Sequence, residues 1–317
     1  LANKQWNTEL RKSIADALGT LGERSVIGDL VQLLSDEQQD VTLRRAIAIA
    51  LGALGEPKVS ANVMVQLLSD GQLEVSMRCS IADALGIIGE GSVVNDLMQL
   101  LSNDKLDMHL RWSIANTLGT LGERSVAANL SKLLTDANMD AHLRWSIAEA
   151  LSTLGERSMA ANVMVQLLSD ERLGVFMRRK IAKALSILGE RPVAADLAQL
   201  LTDKRLHEFV RTSIAKALGN LGEPSVATYL AQLLSDKQLE VDLRRSIANA
   251  LATYADDLST VAGLVKSLPE KEISESVYRA LWTVSRRARV WIFPVDFTVQ
   301  NSSITQAQTA YEIVPWE

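Results

Sequence analysis

A single cysteine, Cys79, occurs in 317 residues. Without a second thiol no disulfide can form within the chain, and nothing points to an oxidising compartment. Aromatic residues make up only 4% although hydrophobic residues reach 47%. Ala, Leu, Ile and Val therefore carry the burial, a mix that suits small side chains between closely packed helices. No apolar run approaches the ~20 residues that cross a bilayer. The opening residues, LANKQWNTEL, lack the apolar stretch of a signal peptide. These absences lead to the expectation of a soluble cytoplasmic protein with no membrane partner. Positive charge is not in excess either. The net charge of −5 disfavours nucleic acid as a partner, because such affinity rests on neutralising phosphates. Neither a G-x-x-x-x-G-K-[ST] phosphate loop nor a G-x-S-x-G elbow occurs.

What is abundant is repetition. LRWSIANTLGTLGERSV runs from Leu110 to Val126, and LRWSIAEALSTLGERSM from Leu143 to Met159. The anchor of the phrase is an Arg preceded by Leu, Met or Val. It recurs at Arg11, Arg44, Arg78, Arg111, Arg144, Arg178, Arg211 and Arg244, in steps of 33, 34, 33, 33, 34, 33 and 33. A fixed period of this length means stacked supersecondary units. The extra residue enters twice, near the segment ANVMVQLLSD at Ala61–Asp70 and Ala161–Asp170. Those copies lie 100 residues apart, which suggests that a block of three repeats was duplicated.

Each unit reads as two helices. In the first, Val26, Leu30, Leu33 and Leu34 share one helical face. A polar loop such as SDEQQDVT follows. In the second, Leu43, Ile47, Leu51 and Leu54 form the buried stripe. Gly55 and its counterparts Gly22, Gly89, Gly122, Gly155, Gly189 and Gly222 end the second helix. Neither helix buries its stripe alone, but stacked neighbours do. The ankyrin T-P-L-H and tetratricopeptide W-x-x-L-G-x-x-Y signatures are absent. The recurring phrase LLSD…VxLRRSIAxALGxLGE instead resembles HEAT-like repeats of the phycobilisome-lyase type, common in cyanobacterial proteins. That resemblance covers roughly residues 1 to 257. It implies an all-α fold, a right-handed α-α superhelical solenoid.

The expected domain organisation follows. Residues 1–257 hold eight repeats, the first truncated, because Leu1-Ala2-Asn3 aligns with the end of a first helix. This opening in mid-repeat leads to the expectation of a C-terminal part of a longer protein. Residues 258–289 form a degenerate capping repeat, with Tyr278 where the anchor Arg belongs and Trp282 in the cap. Residues 290–317 form a short tail, irregular or β-like. Val290-Trp291-Ile292-Phe293 and Phe297-Thr298-Val299 are strand-like, and Asn301-Ser302-Ser303 marks a turn.

The repeats can be compared with one another. The anchor Arg is present in all eight, and an acid lies twelve residues later, at Glu23, Glu56, Glu90, Glu123, Glu156, Glu190, Glu223 and Asp256. An Asp stands eight residues before the anchor in six repeats, with Asn3 and Asn103 as exceptions. Catalysis needs one convergent site and not eight equal ones, so these charges are expected to pair and to cap loops.

Positions that vary on an exposed stripe would choose a partner. The slot after the anchor reads Lys12, Arg45, Cys79, Trp112, Trp145, Arg179, Thr212, Arg245. The slot four residues on reads Asp16, Ile49, Asp83, Asn116, Glu149, Lys183, Lys216, Asn249. The second slot is mostly acidic before residue 150 and mostly basic after it. The resemblance places this stripe inside a concave groove, with Trp112 and Trp145 at its centre on helices about 10 Å apart. Trp beside Arg has the composition of a binding hot spot. The competing reading packs the Trp rings on neighbouring helices as an extension of the core. The expected partner-binding residues are Arg45, Trp112, Asn116, Trp145, Glu149, Arg179, Lys183 and Arg245, and the expected partner is a protein or peptide.

Other chemistry is weaker. His109 and His142 hold equivalent positions, but ligands about 10 Å apart cannot share one ion, and no third ligand is evident. His207-Glu208 is a single His-Glu pair, whereas deoxyhypusine hydroxylases, which are HEAT-like, carry several for an iron centre. Cys79 has no His near it in the repeat frame, and a plain small residue explains it. The Arg286-Arg287-Ala288-Arg289 cluster suits a solvated helix end. No metal and no cofactor are expected.

The leading reading is thus a non-catalytic scaffold or sensor module. Its segment ALWTVSRR (Ala280–Arg287) resembles the C-terminal arrays of bacterial NACHT-type NTPases, which implies a fragment of a larger signalling NTPase. The alternative is a phycobilin lyase subunit or a chaperone-like bilin-binding protein. There Arg45, Arg179 or Arg245 would pair the propionates of the bilin, and Trp rings would lie against its plane.

Overall fold

Asn7, Asp40, Asp107 and Asp140 cap the starts of second helices with their side chains, and Gly22, Gly89, Gly122, Gly189 and Gly222 close such helices in the left-handed region. The computed structural model describes residues 6–36, 38–136, 139–267, 274–295 and 310–315. It divides into two units, Leu1–Val163 and Met164–Glu317.

In the first unit the second helices of the repeats are α1 (Thr8–Leu21), α3 (Val41–Ala53), α5 (Val75–Ile88), α7 (Met108–Leu121) and α9 (Ala141–Thr153). Each packs on the next to make one layer. The first helices α2 (Ile27–Ser35), α4 (Pro57–Ser69), α6 (Val94–Ser102) and α8 (Ala127–Leu133) make the other layer. The division between the units falls within α10 (Arg157–Leu168). In the second unit α11 (Val175–Leu188), α13 (Glu208–Leu221), α15 (Val241–Tyr254) and α17 (Ser274–Arg287) pack in series. Helices α12 (Ala194–Leu200), α14 (Ala227–Leu233) and α16 (Leu258–Ser267) pack against them. Strands β1 (Val290–Val295) and β2 (Ala310–Pro315) then pair antiparallel, with Val290 opposite Pro315.

The core is the expected stripe. Leu43, Ile47, Leu51 and Leu54 are buried, and so are Leu243, Ile247 and Leu251. Each such side chain contributes about 1.5–3 kcal/mol when fully removed from water. Small residues let the second helices approach closely. A Cβ added to Gly119 would lie 2.8 Å from Ala150 Cα and 2.7 Å from Thr153 Oγ1.

The two one-residue insertions have a visible consequence. In the 33-residue steps a 3-10 turn such as Arg24–Val26 or Arg124–Val126 precedes a first helix of seven to nine residues. In the two 34-residue steps that turn is absorbed into the long helices α4 and α10. The preceding second helices also end differently. Gly122 closes α7 directly in the left-handed region at φ 73°. Helices α3 and α9 stop a residue sooner, and Gly55 and Gly155 take φ 96° and 97°. The N–H of Glu56 then reaches back to the Leu51 carbonyl, which satisfies an orphan acceptor of the last turn.

The repeat-invariant charges are structural. In at least five repeats the guanidinium of the anchor reaches the last carbonyls of the first helix, ten residues upstream, whereas Arg178 donates to the Leu173 carbonyl and Arg11 to Gln39. Arg44 donates to the Leu34 carbonyl at 3.1 Å, Arg78 to Leu68 at 2.7 Å and Arg111 to Leu101 at 2.9 Å. Arg211 and Arg244 make the same bond to Leu201 and Leu234. A cation at a helix C-terminus meets the negative pole of the dipole and the unpaired carbonyls together. The Asp eight residues earlier accepts a backbone N–H two residues on, as Asp70 does from Gln72 and Asp236 from Gln238. Asn103 does the same with Lys105, so that exception keeps the turn. The acid after the glycine caps the 3-10 turn, as Glu90 does with Ser92 and Glu223 with Ser225.

The C-terminal end departs from expectation in two ways. Trp282 is exposed and carries the Arg286 guanidinium 5.7 Å from its ring centroid; Val277, Ala280, Leu281 and Val284 form the buried stripe of α17 instead. Arg287 is not merely solvated, because its guanidinium donates to the Ala252 carbonyl at 3.0 Å, at the end of α15. Val290–Phe293 does lie in a strand, whose partner Ala310–Pro315 was not foreseen. Leu1–Asn3, Phe297–Val299 and Asn301–Ser303 lie outside the described residues.

Candidate functional site

The second helices carry a recurring three-residue cluster. Two residues before the anchor, four successive repeats hold a ring: His109, His142, Phe176 and Phe209. One residue after the anchor comes the variable slot. A ring from one repeat, the slot residue of that repeat and the ring of the next repeat form such a cluster once within each unit.

In the first unit this cluster is His109, Trp112 and His142. Trp112 lies between the two imidazoles, with ring centroids 4.7 Å and 5.0 Å away. Each imidazole Nδ1 faces the aspartate that begins its helix, Asp107 at 3.3 Å and Asp140 at 3.8 Å. Trp112 is half-buried, and its indole N–H is buried without an acceptor among the described residues. Trp145, expected on an outward slot, is in the core with 5% of its surface exposed. A large apolar ring on a layer of closely packed helices gains more from burial than from solvent. Its truncation therefore removes packing before it removes any contact with a partner. Among the described residues, the rings that meet Trp112 are His109 and His142, not Trp145.

Asn116 and Glu149 are exposed on α7 and α9, and Arg45 is half-buried on α3. Cys79 occupies the slot on α5. Burial pushes its thiol up, and Asp83 and Asp107 add to that, so it stays protonated and poorly nucleophilic. The Ser113 hydroxyl lies 3.1 Å from the Cys79 carbonyl and 3.0 Å from Asp83 Oδ1, two acceptors that share its one proton, which ties α7 to α5. A further cavity of about 1390 Å³ in this unit lies at the loop ends of α6 to α9, lined by groups of both signs that include Asp104, Arg111, Lys132 and Asp136.

In the second unit the cluster is Phe176, Arg179 and Phe209. Both rings are exposed, at 74% and 55%, and the Arg179 guanidinium lies 5.9 Å from the Phe209 centroid. Arg179 and Lys183 line a cavity of about 410 Å³ between α11 and α13, together with Lys180 and Lys216. The structure thus brings together two of the expected binding residues. Arg245 is exposed on α15 and pairs with Asp242 at 3.3 Å. Lys180 and Phe176 were missed by sequence reading. The signal was present: Lys180 interrupts a column that otherwise holds Ser or Ala two residues after the anchor, as at Ser13, Ala46, Ser113 and Ser213.

His207 begins α13, where its Nδ1 accepts the Phe209 N–H at 3.2 Å. Among the described residues no three His, Cys, Asp or Glu side chains come together as metal ligands. Among the same residues no helix is long and apolar enough to cross a membrane.

Helical pairs stacked in series, tied by a repeated Arg-to-carbonyl bond, define an all-α solenoid repeat protein. The chain belongs to the HEAT-repeat family, which it matches over residues 1–77, 64–152 and 177–252, more than half its length. Similar solved structures include YibA of Escherichia coli, at 19% identity and TM-score 0.51, over 86% of this chain and 96% of that one. Human deoxyhypusine hydroxylase in complex with glycerol is similar at 20% identity and TM-score 0.38, over 85% and 99% of the two chains. The CpcE–CpcF complex of phycocyanin lyase from Nostoc sp. PCC7120 is similar at 21% identity and TM-score 0.38, over 72% and 94%. No curated protein matches the chain. At these identities the likeness is one of fold.

Proposed function

We propose that the chain is a non-catalytic scaffold that binds a protein or peptide partner along its second helices, the face that would be concave in a HEAT-like stack. One observation carries this reading. At least six of the eight anchor guanidiniums donate to main-chain carbonyls, and shared acids such as Glu90 and Glu223 cap turns, while the second slot is exposed and differs from repeat to repeat. It presents Asp83, Asn116 and Glu149 in the first unit and Lys183, Lys216 and Asn249 in the second. HEAT repeats commonly act through such stacked surfaces. Within a larger signalling NTPase the scaffold would serve as a sensor arm, a context that rests on the resemblance of Ala280–Arg287 alone.

The bilin reading sets Trp rings against the plane of the bilin; the buried Trp145 offers no such face, whereas Phe176 and Phe209 stand open beside Arg179. A spectral shift on adding a bilin to the chain would support it. The scaffold reading is tested with photo-crosslinking residues placed in cells. Asn116 and Asn249 on the second helices should give protein adducts, and the exposed Asn129 and Gln199 on the first helices should not. The reverse pattern would overturn the proposal.

A further inference from the structure

We infer that the groove between α11 and α13 is a docking site for an acidic segment of a partner protein that sets apolar side chains among its carboxylates. The inference rests on the scaffold reading and names the chemistry of one part of it.

Four cations, Arg179, Lys180, Lys183 and Lys216, line one cavity of about 410 Å³, and no Asp or Glu lines it. Among the described residues none of the four is in an ion pair, whereas other arginines of this unit are. Arg172 pairs with Asp170 at 2.7 Å, Arg205 with Asp203 at 2.9 Å, and Arg245 with Asp242. Four gathered positive charges in a chain of net charge −5 repel one another in the free protein. An anionic partner relieves that repulsion, and charge complementarity of this kind sets specificity and on-rate.

The rest of the lining narrows the partner further. Ser186, Ser213 and Asn220 supply hydrogen-bonding groups, with the Asn220 amide donating to Ser186 at 2.7 Å. Phe176 stands exposed at the mouth, and Phe209 holds the Arg179 guanidinium over its ring. A cation fixed on a ring loses less freedom when it meets a carboxylate. Two exposed Phe rings bury an aliphatic or aromatic side chain, and since rings also stack on bases, it is the extent of the basic strip that separates a peptide from nucleic acid. The basic strip is also short. It ends at α13, because the next helix in the second unit offers Asn249 and an already paired Arg245. Nucleic acid would need a longer run of phosphate contacts. An acidic peptide needs only this much.

The test uses the full chain and fluorescence anisotropy. The probe is a short fluorescein-labelled peptide of Glu interrupted by Leu and Phe, beside a version with Gln for Glu and one with Ala for Leu and Phe. The acidic apolar peptide should bind, and each altered version should bind at least ~10-fold more weakly. Lys183→Glu with Lys216→Glu should lower affinity at least ~10-fold, Lys183→Gln with Lys216→Gln by less, and Phe176→Ser by roughly threefold. Unchanged helical circular dichroism in the Gln pair keeps the comparison valid should the Glu pair fold poorly. Equal binding of the acidic peptide to the wild-type chain and to the Gln pair would overturn the inference. So would tighter binding of a single-stranded oligonucleotide of the same length. If the peptide result fails while crosslinks at Asn116 and Asn249 persist, the groove assignment falls and the scaffold reading stands. If both are lost, the scaffold reading falls as well.

Discussion

The His109–Trp112–His142 cluster and the Phe176–Arg179–Phe209 cluster occupy the same three positions of the repeat, yet they do opposite jobs. In the first unit the slot holds a half-buried indole that lies between two imidazoles. In the second unit the slot holds a guanidinium over one Phe, the rings stand open, and three lysines surround them. The helix pair is common to both, but the anchors differ: Arg111 donates to the Leu101 carbonyl ten residues upstream, whereas the corresponding Arg178 donates to Leu173, five upstream. The difference at the slot itself is one of side-chain chemistry. An apolar ring in the slot is drawn into the stack, while a cation stays at its surface and remains available.

This contrast predicts a graded set of stability effects. Trp145→Ala should cost the most, about 3–5 kcal/mol, because it empties a fully packed position. Trp112→Ala should cost less, about 1–3 kcal/mol, since the ring is only half-buried. Trp112→Phe should be neutral or slightly stabilising, because it keeps a ring between the imidazoles and removes a buried N–H with no acceptor among the described residues. Arg179→Ala should stay within about 0.5 kcal/mol, as exposed substitutions do. Urea unfolding measures all four. If Arg179→Ala cost as much as Trp112→Ala, the two slots would be equivalent and the contrast would disappear.

A swap sharpens the comparison. Arg179→Trp places in the second unit the residue that the first unit uses. Ring contacts with Phe176 or Phe209 should add about 0.5–1.5 kcal/mol of stability, seen as a higher Tm. Affinity for the acidic peptide should fall at the same time. Gain of stability with undiminished binding would show that the cation in this slot does not matter to the partner.

How much of this was written in the sequence varies by level. The repeat, its two helices and its buried stripe were legible, because Leu43, Ile47 and Leu51 recur at helical spacing and burial obeys that spacing. The structural role of the anchor Arg was legible as a bland pairing, but its partner was not. A carbonyl ten residues upstream carries no side-chain signature, so nothing in the letters around Leu34 marks it as the acceptor of Arg44. The fate of the Trp residues was half legible. Their shared slot was plain, yet Trp145 and Trp112 differ in burial through the neighbours stacked on them, which a single repeat does not encode. The basic groove was the least legible part. It needs Lys180, Lys183 and Lys216 read across two helices with Phe176; Arg179, Lys183 and Lys216 stood in the variable slots, whereas Lys180 and Phe176 lay outside them.

The smallest expected effect concerns what the two units share. Glu90 in the first and Glu223 in the second each cap a 3-10 turn, and each carboxyl is held below its usual range, first by the backbone N–H and then by the hydroxyl of Ser92 or Ser225. A carboxyl lowered in the folded state stabilises it at pH values above the unfolded value, about 4.3, and loses that contribution as pH falls through the folded value. Glu90→Gln and Glu223→Gln should therefore lower Tm slightly at neutral pH and leave it unchanged near pH 3. Because the capping geometry belongs to the repeat and not to the slot, the two variants should match each other. A pH-dependent loss confined to one of them would mean that the scaffold itself, and not only the side chains set upon it, differs between the units.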